Sequence, residues 1–322
     1  MRILVTGGAG FIGSNYVNSL LAVPNRWEEI IVLDALTYAG NLSNLEVVLD
    51  NPKVRFIKGD IRDAELVGSV MANIDIVVHF AAESHVDRSI SNPNEFISTN
   101  VLGTNNLLNA ALHSKILKFI HVSTDEVYGS IEVGSWDEQW PLSPNSPYSA
   151  SKASSDLVAL SYFSTYGLPV IVTRCSNNYG KYQFPEKLIP LAISNLIDGR
   201  TIPIYGDGLN SRDWLDVRDH CGAINLLVEG GKDGEIYNIG GGRELSNIEL
   251  VKFLLDEFGV DETFIEFVED RKGHDRRYSV SFEKLANACG YRPKHVFEES
   301  LKETVEWYRV NQAWWRPLKY KS

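Results

Sequence analysis

Cysteine is scarce in this 322-residue sequence. Its three cysteines, Cys175, Cys221 and Cys289, form no CxxC pair and no disulfide framework. A reducing compartment therefore fits best, and we expect a cytoplasmic protein. Long apolar runs are also lacking, because none reaches the roughly 18 residues that a membrane helix requires. Strand-forming residues begin at Arg2, so we expect no signal peptide and no membrane partner.

Lysine and arginine are outnumbered by acidic residues, at 31 against 42, which gives a net charge of −11. A chain this acidic argues against nucleic acid or another polyanion as a partner. A small anionic ligand stays compatible with the composition if basic residues gather locally. The sequence also has no low-complexity linker and no internal repeat beyond an alternation of strands and helices. That alternation predicts an α/β protein.

A glycine-rich turn follows the first predicted strand, residues 2–6, which is short, apolar and β-branched. Gly7 and Gly10 would let the backbone approach a pyrophosphate at a helix N-terminus, and Gly13 would let helix and strand pack closely. A second strand over 30–33 ends in Asp34, an acid placed to bind a ribose 2′-hydroxyl. This arrangement favours NAD over NADP. The alternative is a plain glycine turn with a helix-capping aspartate.

Later strand ends supply further candidate ligand contacts. The polar loop 37–41 could run along an adenosine, and Asp60, after strand 54–57, could either bond adenine or cap the next helix. Strand 75–82 ends in small residues that would let a cofactor lie close. Ser84 is the better candidate for a substrate contact than His85, which we interpret as structural. The sequence offers too few ligands around His85 for a metal site, so we expect no metal.

The strand over 119–122 leads into the stretch 122–129, whose side chains should lie at the ligand end of a parallel sheet. A helix opened by Tyr148 places Lys152 four residues later on the same face. We expect Lys152 to lower the phenol's pKa from about 10, which would make Tyr148 a usable base. The adjacent carboxyls of Asp125 and Glu126 complete an acid–base site that can handle two different protons.

The strand–helix alternation breaks after strand 170–175, where prolines at 185, 190 and 203 mark longer loops. We expect a smaller region over the ligand end of the sheet. A basic island at 269–278, with Arg212, suits a phosphate, although Arg276 and Arg277 could equally form a solvated face paired with acids. Apolar spacing in helix 100–113 and in the Tyr148 helix fits either an outer layer of the sheet or a dimer face.

Together these motifs resemble the extended short-chain dehydrogenases/reductases. The glycine turn with Asp34, followed by Thr124, Tyr148 and Lys152, carries that resemblance. Within the superfamily, stretches 123–129, 81–89, 174–180 and 270–275 resemble the dTDP-glucose 4,6-dehydratases, and the resemblance runs from Met1 to about Pro317. The Asp–Glu pair after Thr124 is the discriminating motif, because sugar-nucleotide 4-epimerases usually lack both carboxylates there.

The resemblance implies NAD-dependent dehydration of dTDP-glucose to the 4-keto-6-deoxy sugar, for deoxysugar biosynthesis, by a homodimer. Tyr148, helped by Lys152 and Thr124, would take the proton from the hexose O4 while hydride leaves C4. Glu126 would remove the C5 proton, and Asp125 would protonate the departing C6 hydroxyl. Asp125 would start neutral and Glu126 ionised. The alternatives are another NAD-dependent sugar-nucleotide dehydratase, a 4-epimerase, or a non-catalytic NAD-sensing scaffold. Such a scaffold would need none of Tyr148, Lys152, Asp125 and Glu126.

The resemblance also implies a Rossmann-type doubly wound parallel sheet with a smaller, interleaved C-terminal region. Residues 1–178, with about 213–240 returning to the sheet, would bind NAD, and 179–212 with 241–322 would bind the sugar nucleotide. The implied cofactor positions are Gly7, Gly10, Phe11, Ile12, Gly13, Asp34, Thr37, Gly40, Asp60, Ile61, Ala81, Ala82, Ser84, Thr99, Tyr148 and Lys152. The implied substrate positions are Ser84, Thr124, Asn177, Glu186, Lys187, Leu188, Pro203, Tyr205, Arg212, Asn247, Arg271, His274 and Tyr278.

The resemblance assigns some of these residues to particular parts of the nucleotide. Arg212 and Arg271 would grip the pyrophosphate, while Pro203, Tyr205 and Asn247 would lie near the base. One position departs from the family, since Lys181 stands where a proline is more usual. We expect that loop to be less stiff and more basic as a result.

Overall fold

A computed structural model of the chain describes residues 1–23 and 26–319. Its strands are β1 Arg2–Thr6, β2 Glu29–Asp34, β3 Val54–Lys58, β4 Ile76–His79, β5 Lys118–Thr124, β6 Val170–Cys175, β7 Asn177–Tyr179, β8 Ile202–Tyr205, β9 Ser211–Asp216, β10 Ile236–Ile239, β11 Glu244–Ser246 and β12 Ile265–Val268. Its α-helices are α1 Phe11–Leu21, α2 Glu46–Leu49, α3 Ala64–Val70, α4 Val86–Ser91, α5 Pro93–Phe96, α6 Thr104–Ser114, α7 Pro147–Tyr166, α8 Leu188–Ile197, α9 Val217–Gly230, α10 Asn247–Phe258, α11 Glu283–Cys289, α12 Phe297–Val310 and α13 Gln312–Lys319.

The main sheet has seven strands in the order β10-β6-β5-β4-β1-β2-β3, and every pairing in it is parallel. The chain winds outward from β1 in one direction through β2 and β3, then in the other through β4, β5 and β6. A crevice therefore opens at the carboxyl ends of β1 and β4, where the winding direction changes. The predicted Rossmann-type α/β architecture is confirmed.

Helices cover both faces of the main sheet, because alternate residues of each buried strand point to opposite sides. Ile3 and Val5 face one apolar cluster shared with α1 and α9, and Leu4 faces another shared with α3, α6 and α7. The helices predicted over 100–113 and from Tyr148 thus form an outer layer of the sheet. The outward sides of both helices still leave apolar residues exposed, among them Leu102 and Leu157.

The helix predicted from residue 100 begins differently from its expected form. A π-helical segment, Ile97–Gly103, precedes α6, so its turns are wider than those of an α-helix. Asn100, in the middle of this segment, is buried and donates a hydrogen bond to the hydroxyl of Ser151 on α7 at 2.8 Å. Polar residues at this point hold the segment to α7, and hydrophobic periodicity cannot reveal such a bond.

The smaller region lies beyond the ligand end of the main sheet. It contains a three-stranded sheet of β7, β9 and β11 and a parallel pair of β8 and β12. Its core includes apolar residues of α8, α10 and α12, with Trp315 fully buried among them. α9 and β10 return to the main sheet, whereas β9 stays in the smaller one, so the boundary predicted near 213 falls within β9. The domain ranges stay a prediction.

Helices of the described ranges, residues 1–23 and 26–319, include none that is both long and apolar enough to span a membrane.

Candidate active site

A cavity of about 320 Å³ opens at the carboxyl ends of the central strands. All of the predicted cofactor residues and all five predicted catalytic residues line it. Among the predicted substrate residues, those that line it are Ser84, Thr124, Asn177, Glu186 and Lys187. The crevice that a doubly wound sheet creates is thus the place where the predicted groups meet.

The glycine turn packs its backbone closely against the residues after β4 and against the first turn of α1. Gly7 has a positive φ of 68°, and a Cβ there would lie 2.5 Å from the amide nitrogen of Ala81. A Cβ at Gly13 would lie 2.2 Å from the carbonyl oxygen of Gly7. Gly10 begins α1 without any side-chain cap, so the first amides of the helix are left for another partner. These features fit the pyrophosphate of a dinucleotide.

Asp34 is buried at the end of β2, where its carboxylate organises the neighbouring loops. One oxygen accepts the backbone N–H of Ala9 at 2.9 Å and the other accepts that of Leu36 at 2.8 Å. Burial raises the pKa of Asp34, and these backbone donors oppose the rise. A Cβ on Gly40 would lie 2.6 Å from this carboxylate, so the glycine keeps space open beside it. The second lone pair of each oxygen can accept a ribose hydroxyl.

Asp60 lines the same cavity but already has a strong partner. Its carboxylate accepts the backbone N–H of Arg62 at 2.8 Å and also pairs with the Arg62 guanidinium at 2.7 Å. The hydrogen bond from that guanidinium lowers the pKa of Asp60. Asp60 thus closes a local turn, whereas Asp63 caps α3 by accepting the backbone N–H of Leu66. The helix-capping alternative for Asp60 is therefore wrong, and a contact to adenine stays a prediction.

The acidic stretch turns into the cavity where β5 ends. Thr124 opens a short 3₁₀ turn, Asp125–Tyr128, by accepting the backbone N–H of Glu126 on its hydroxyl at 3.3 Å. The same hydroxyl donates to Asp125 Oδ1 at 3.3 Å. Val127 and Tyr128 point the other way into a small apolar core, where Tyr128 stacks on Trp136 with ring centroids 5.2 Å apart. Packing of these two residues fixes the acids on the cavity side.

Tyr148 and Lys152 share one buried face of α7, as their spacing predicted. Ser146 and Ser149 form a capping box and Pro147 occupies the first turn, which fixes where the helix begins. The Lys152 ammonium donates to the carbonyl oxygen of Val122 on β5 at 2.8 Å. The helix start and this one bond set the position of both side chains.

The predicted effect of Lys152 on Tyr148 is wrong in this structure. Burial raises the phenol's pKa well above 10, and the negative charge of Glu126 raises it further. The Lys152 ammonium is itself buried, which lowers its pKa to about 8, and its hydrogen bond goes to the Val122 carbonyl. Loss of water around the phenol therefore outweighs the nearby cation. Helical spacing gives proximity, but it does not give the cost of removing charge from water.

The two adjacent carboxyls have different surroundings. Asp125 is fully buried, and burial together with the charge of Glu126 raises its pKa well above the usual value. Burial also raises the pKa of Glu126, but Arg271, Lys187 and Arg212 oppose that rise. The pKa of both carboxyls is therefore raised, and more strongly so at Asp125. The opposite starting states that the resemblance implies stay a prediction. Asp125 Oδ2 is buried with no partner among the described residues, so it is left for a ligand.

A cationic group faces Glu126 from the smaller region. Arg212 is buried, donates to the carbonyl oxygens of Ser211 and Asp275, and lies over the ring of Tyr278 at 4.1 Å. Arg271 and Lys187 also act on the charge of Glu126. Arg212 makes no ion pair with a carboxylate of the described residues. A buried guanidinium without an acid partner is suited to an anionic ligand.

The remaining predicted substrate residues lie outside the cavity wall. Tyr205 packs edge-on against His274 with centroids 6.2 Å apart. Leu188 begins α8, Pro203 is within β8, and Asn247 begins α10, whose neighbour Ile248 bonds the Gly208 carbonyl. They sit on elements of the smaller region, and their contacts with a ligand stay predictions.

His85 and Lys181, the two positions singled out with reservations, have simple roles. His85 caps α4, its Nδ1 accepting the backbone N–H of Arg88 at 3.4 Å, so the structural interpretation is confirmed. The Lys181 side chain is exposed, and its carbonyl accepts a bond from Asn15 at 3.0 Å, which ties the loop to α1. In the described parts of the chain no group of three or more metal-ligating side chains could hold a metal ion.

Sequence reasoning missed several contacts that shape the cavity wall. Tyr38 and Phe184 meet edge-on at 5.7 Å on its rim, and Arg88 lies 3.9 Å over the Tyr38 ring. Asn100 holds the Glu83 backbone by accepting from its N–H at 2.8 Å and donating to its carbonyl at 2.9 Å. An asparagine within an apolar helical pattern was an available signal. Nothing in the sequence pairs Tyr38 with Phe184.

Comparison with known proteins agrees with this geometry. The GDP-mannose 4,6 dehydratase family matches residues 4–304. A dTDP-glucose 4,6-dehydratase of Streptomyces antibioticus is 60% identical over 99% of this chain and 96% of its own. The crystal structure of dTDP-glucose 4,6-dehydratase from Streptomyces venezuelae, with NAD and TYD bound, has a TM-score of 0.97 at 57% identity and covers 99% of this chain and 100% of its own. A Bacillus anthracis dTDP-glucose 4,6-dehydratase structure in complex with NAD has a TM-score of 0.92 at 50% identity, covering 99% of each chain. The chain therefore belongs to the GDP-mannose 4,6 dehydratase family, among its dTDP-glucose 4,6-dehydratases.

Proposed function

We propose that this enzyme dehydrates dTDP-glucose to dTDP-4-keto-6-deoxyglucose with NAD as cofactor, as a step of deoxysugar biosynthesis. The observation that carries the proposal is the meeting, in one cavity, of a glycine cradle with Asp34, of the Tyr148–Lys152 pair, and of two acids in different surroundings. The glycine turn and the open space beside Asp34 fit the pyrophosphate and a ribose. NAD⁺ bound there supplies a hydride acceptor, a later hydride donor and a positive charge.

Oxidation at C4 needs a base for the O4 proton. Tyr148 takes this role because it is the phenol that lines the cavity beside Thr124. Its raised pKa makes the phenolate a strong base once formed. Lys152, with a pKa of about 8, titrates near neutral pH and supplies a positive charge on the same helix face. The product of this step is a ketone at C4, which acidifies the hydrogen on C5.

Elimination of water then needs one acid and one base. Glu126 removes the C5 proton, since Arg271, Lys187 and Arg212 favour its ionised form. Asp125 donates its proton to the departing C6 hydroxyl, since its burial favours the neutral acid. Hydride then returns to C6, and Glu126 gives a proton back to C5. Each of the two acids thus acts in the state that its surroundings favour.

The sugar nucleotide would lie between the main sheet and the smaller region. The buried Arg212 and the neighbouring Arg271 suit its pyrophosphate. Arg276 and Arg277 already pair with Asp207 and Glu244, so we exclude both from the pyrophosphate site. Pro203, Tyr205 and Asn247 would lie near the base.

Product analysis tests the proposal. Purified protein incubated with dTDP-glucose in deuterium oxide should yield a 4-keto-6-deoxy sugar, seen by NMR, with deuterium at C5 and without added reductant. A galacto-configured product without label would indicate a 4-epimerase and would overturn the proposal. UDP-glucose in a parallel incubation tests the base preference.

We also infer a homodimer that forms through the outward faces of α7 and of the π-helical segment Ile97–Gly103. Leu157 is 60% exposed there, and Leu102 and Tyr166 are exposed as well. Leu157→Asp should shift the mass measured by light scattering towards the monomer. Val310→Asp is the control, because Val310 is 72% exposed at the end of α12, which packs against α8 in the smaller region. An unchanged mass for Leu157→Asp would contradict this interface.

A cytoplasmic location is part of the same proposal. The three cysteines are free thiols, and Cys175 and Cys221 are buried where no disulfide forms. Fractionation of the producing cells, followed by detection of the protein, tests the location directly.

A further inference from the structure

The proposed reaction needs the same cofactor molecule for two hydride transfers, and this inference rests on that reaction. Hydride leaves C4 in the first transfer and returns to C6 of the same sugar in the second. Loss of the reduced cofactor between them would leave an oxidised sugar that the enzyme cannot complete. The binding site would also have to take up fresh NAD. A contact that closes the cavity over the cofactor would prevent this loss.

One half of such a contact is Tyr38, on the loop after β2. At the start of the loop Asp34 accepts the backbone N–H of Leu36 at 2.8 Å, and Leu36 has a left-handed φ of 54°. At its end the N–H of Asn41 donates to the carbonyl of Ala9 in the glycine turn at 3.0 Å. The loop that carries Tyr38 is thus tied at both ends to the predicted cofactor site.

The other half is Phe184, on the segment between β7 and α8. The preceding residue, Gln183, is buried, and its side-chain amide donates to the Asn178 carbonyl at 2.8 Å. On the other side of Phe184 the Lys187 ammonium donates to the Ser84 carbonyl at 3.2 Å. Both Phe184 and Tyr38 line the cavity. Phe184 is therefore held in the cavity wall by anchored neighbours on each side.

The two rings meet edge-on, with centroids 5.7 Å apart and an interplanar angle of 81°. The Arg88 guanidinium lies 3.9 Å from the centroid of the Tyr38 ring and 3.6 Å from the Glu186 carboxylate. Edge-on aromatic pairs and cations over rings both attract. These contacts join the loop after β2, α4 and the segment before α8 at one point of the cavity wall.

We propose that Tyr38, Arg88 and Phe184 form a clasp that keeps NAD bound through both hydride transfers. Tyr38 is anchored on Asp34, the predicted ribose contact. Phe184 lies on the segment that carries the predicted substrate contact Glu186. The clasp thus joins the cofactor side of the cavity to its substrate side, and NAD leaves only after the two rings separate. All three members of the clasp are positioning residues, because none of them acts on a reacting atom.

Exchange of bound NAD tests the clasp. Protein loaded with NAD is mixed with an excess of deuterium-labelled NAD and separated from free nucleotide at intervals. Mass spectrometry then gives the fraction of unlabelled cofactor that is still bound. Phe184→Ala should release NAD at least about tenfold faster than the unaltered protein, because it loses the edge-on contact and opens the cavity wall.

Tyr182→Ala is the matched control. Tyr182 lies on the same segment as Phe184, but its ring packs edge-on against Trp307 and Trp314, with centroids 5.0 and 5.8 Å away. It does not line the cavity. Loss of this ring should leave the rate of NAD release unchanged. Equal acceleration by Tyr182→Ala and Phe184→Ala would indicate a general loosening of the segment and would overturn the clasp.

Tyr38→Ala removes the other ring and covers the case in which Phe184→Ala does not fold. It should also speed the release of NAD. Together the two substitutions should speed release by less than the product of their separate effects, because both break one shared contact. Unchanged release in either folded single variant, or the full product in the double variant, would overturn the clasp.

A trap for free NADH connects the clasp to turnover. In the presence of dTDP-glucose, pyruvate and lactate dehydrogenase, Phe184→Ala should form lactate from the NADH that escapes, and the unaltered enzyme should form almost none. Lactate formed by the unaltered enzyme as fast as keto sugar would contradict the clasp. NAD exchange is measured without sugar, so a failure of the proposed dehydration, seen as the absence of keto sugar, is distinguishable from a failure of the clasp.

Discussion

Asp125 and Asp156 are equally buried aspartates, at 1% and 0% exposure, yet their surroundings differ. Asp156, on α7 under the sheet, accepts from Arg174 Nε at 2.9 Å and lies 3.3 Å from His121 Nε2. The His121 and Arg174 partners lower its pKa despite burial. Asp125 has one neutral partner, Thr124, and a pKa well above the usual value.

Partners, and not burial alone, therefore decide which form a buried carboxyl takes. Below the sheet a fixed guanidinium makes Asp156 a permanent anion. In the cavity Arg212 lowers the pKa of Asp125 less than burial and the charge of Glu126 raise it, so Asp125 favours its neutral form and can give its proton away. Asp156 is a structural, ion-paired carboxylate, whereas Asp125 is suited to act as a catalytic acid. The sequence alone does not distinguish the two aspartates.

Removal of a catalytic carboxyl should have the largest effect, and that effect should be on the rate of elimination. Asp125→Asn and Glu126→Gln should each slow elimination roughly 10²- to 10⁴-fold while oxidation at C4 persists, because each variant loses one proton-transfer group. Stopped-flow absorbance should then show reduced nicotinamide accumulating after dTDP-glucose is added. Tyr148→Phe is the contrasting variant, in which no reduced nicotinamide should form. Full turnover by both acid variants would show that Asp125 and Glu126 do not have the catalytic roles assigned to them.

Removal of the Asp156 carboxylate should lower the stability of the fold. Asp156→Asn leaves the Arg174 guanidinium buried without its counter-ion, so we expect the free energy of unfolding to fall by about 3–5 kcal/mol. Urea unfolding followed by fluorescence measures this loss.

A double variant separates the charge from the packing. Asp156→Asn with Arg174→Met removes both charges and should recover a large part of the lost stability. If the double variant is as unstable as Asp156→Asn alone, the loss comes from packing or from His121 and not from an unpaired guanidinium.

The fold could be predicted from the sequence because its signals are local. Buried strands of the main sheet are short β-branched runs, and the glycine turn has one structural solution. The pairing of Asp156 with Arg174 could not be predicted in that way. The two residues lie on α7 and β6, and only the packing of that helix on the sheet brings them together.

The sequence predicted where the site residues lie, but it did not predict the direction of the pKa shift of Tyr148. Spacing placed Tyr148 and Lys152 on one face, and adjacency placed Asp125 beside Glu126. The phenol's pKa depends on every group that excludes water from it, among them Phe96, whose ring lies 6.2 Å away. The combined effect of these groups on the phenol's pKa can be judged only when their positions in the fold are known. The three cations that oppose the rise in the pKa of Glu126 come from distant segments, so the sequence does not show their effect.

The same substitution should have opposite effects on stability at the two aspartates. The folded pKa of Asp125 is raised, so its contribution to stability is present below the unfolded value of about 3.9 and is lost as pH rises through the folded value. Asp125→Asn should therefore be more stable than the unaltered protein at pH ~8, by about 1.4 kcal/mol for every tenfold by which folding weakens the acidity of this carboxyl.

Urea unfolding of Asp125→Asn across pH checks this prediction. The stability that Asp125→Asn gains over the unaltered protein should shrink towards acid pH, because Asp125 is then neutral in both the folded and the unfolded state. Asp156, with a lowered folded pKa, contributes stability above about pH 3.9 and loses it as pH falls through the folded value, so its variant should show the reverse trend. A destabilised Asp125→Asn at pH ~8 would contradict the neutral state that elimination requires.

The smallest effect is expected where an ion pair is exposed. Arg276 bonds Asp207 at 2.7 Å, as short as the pairs below the sheet, but both side chains are about half exposed, at 54% and 55%. Water already solvates each charge, so Arg276→Ala should leave the urea midpoint and the KM for dTDP-glucose unchanged within error. Arg271→Ala, in the same basic island, should raise KM because no carboxylate in the described structure pairs with its guanidinium. A raised KM for Arg276→Ala would show that Arg276 reaches the nucleotide, and that a short ion pair is a poor guide to which charges a protein reserves for its ligand.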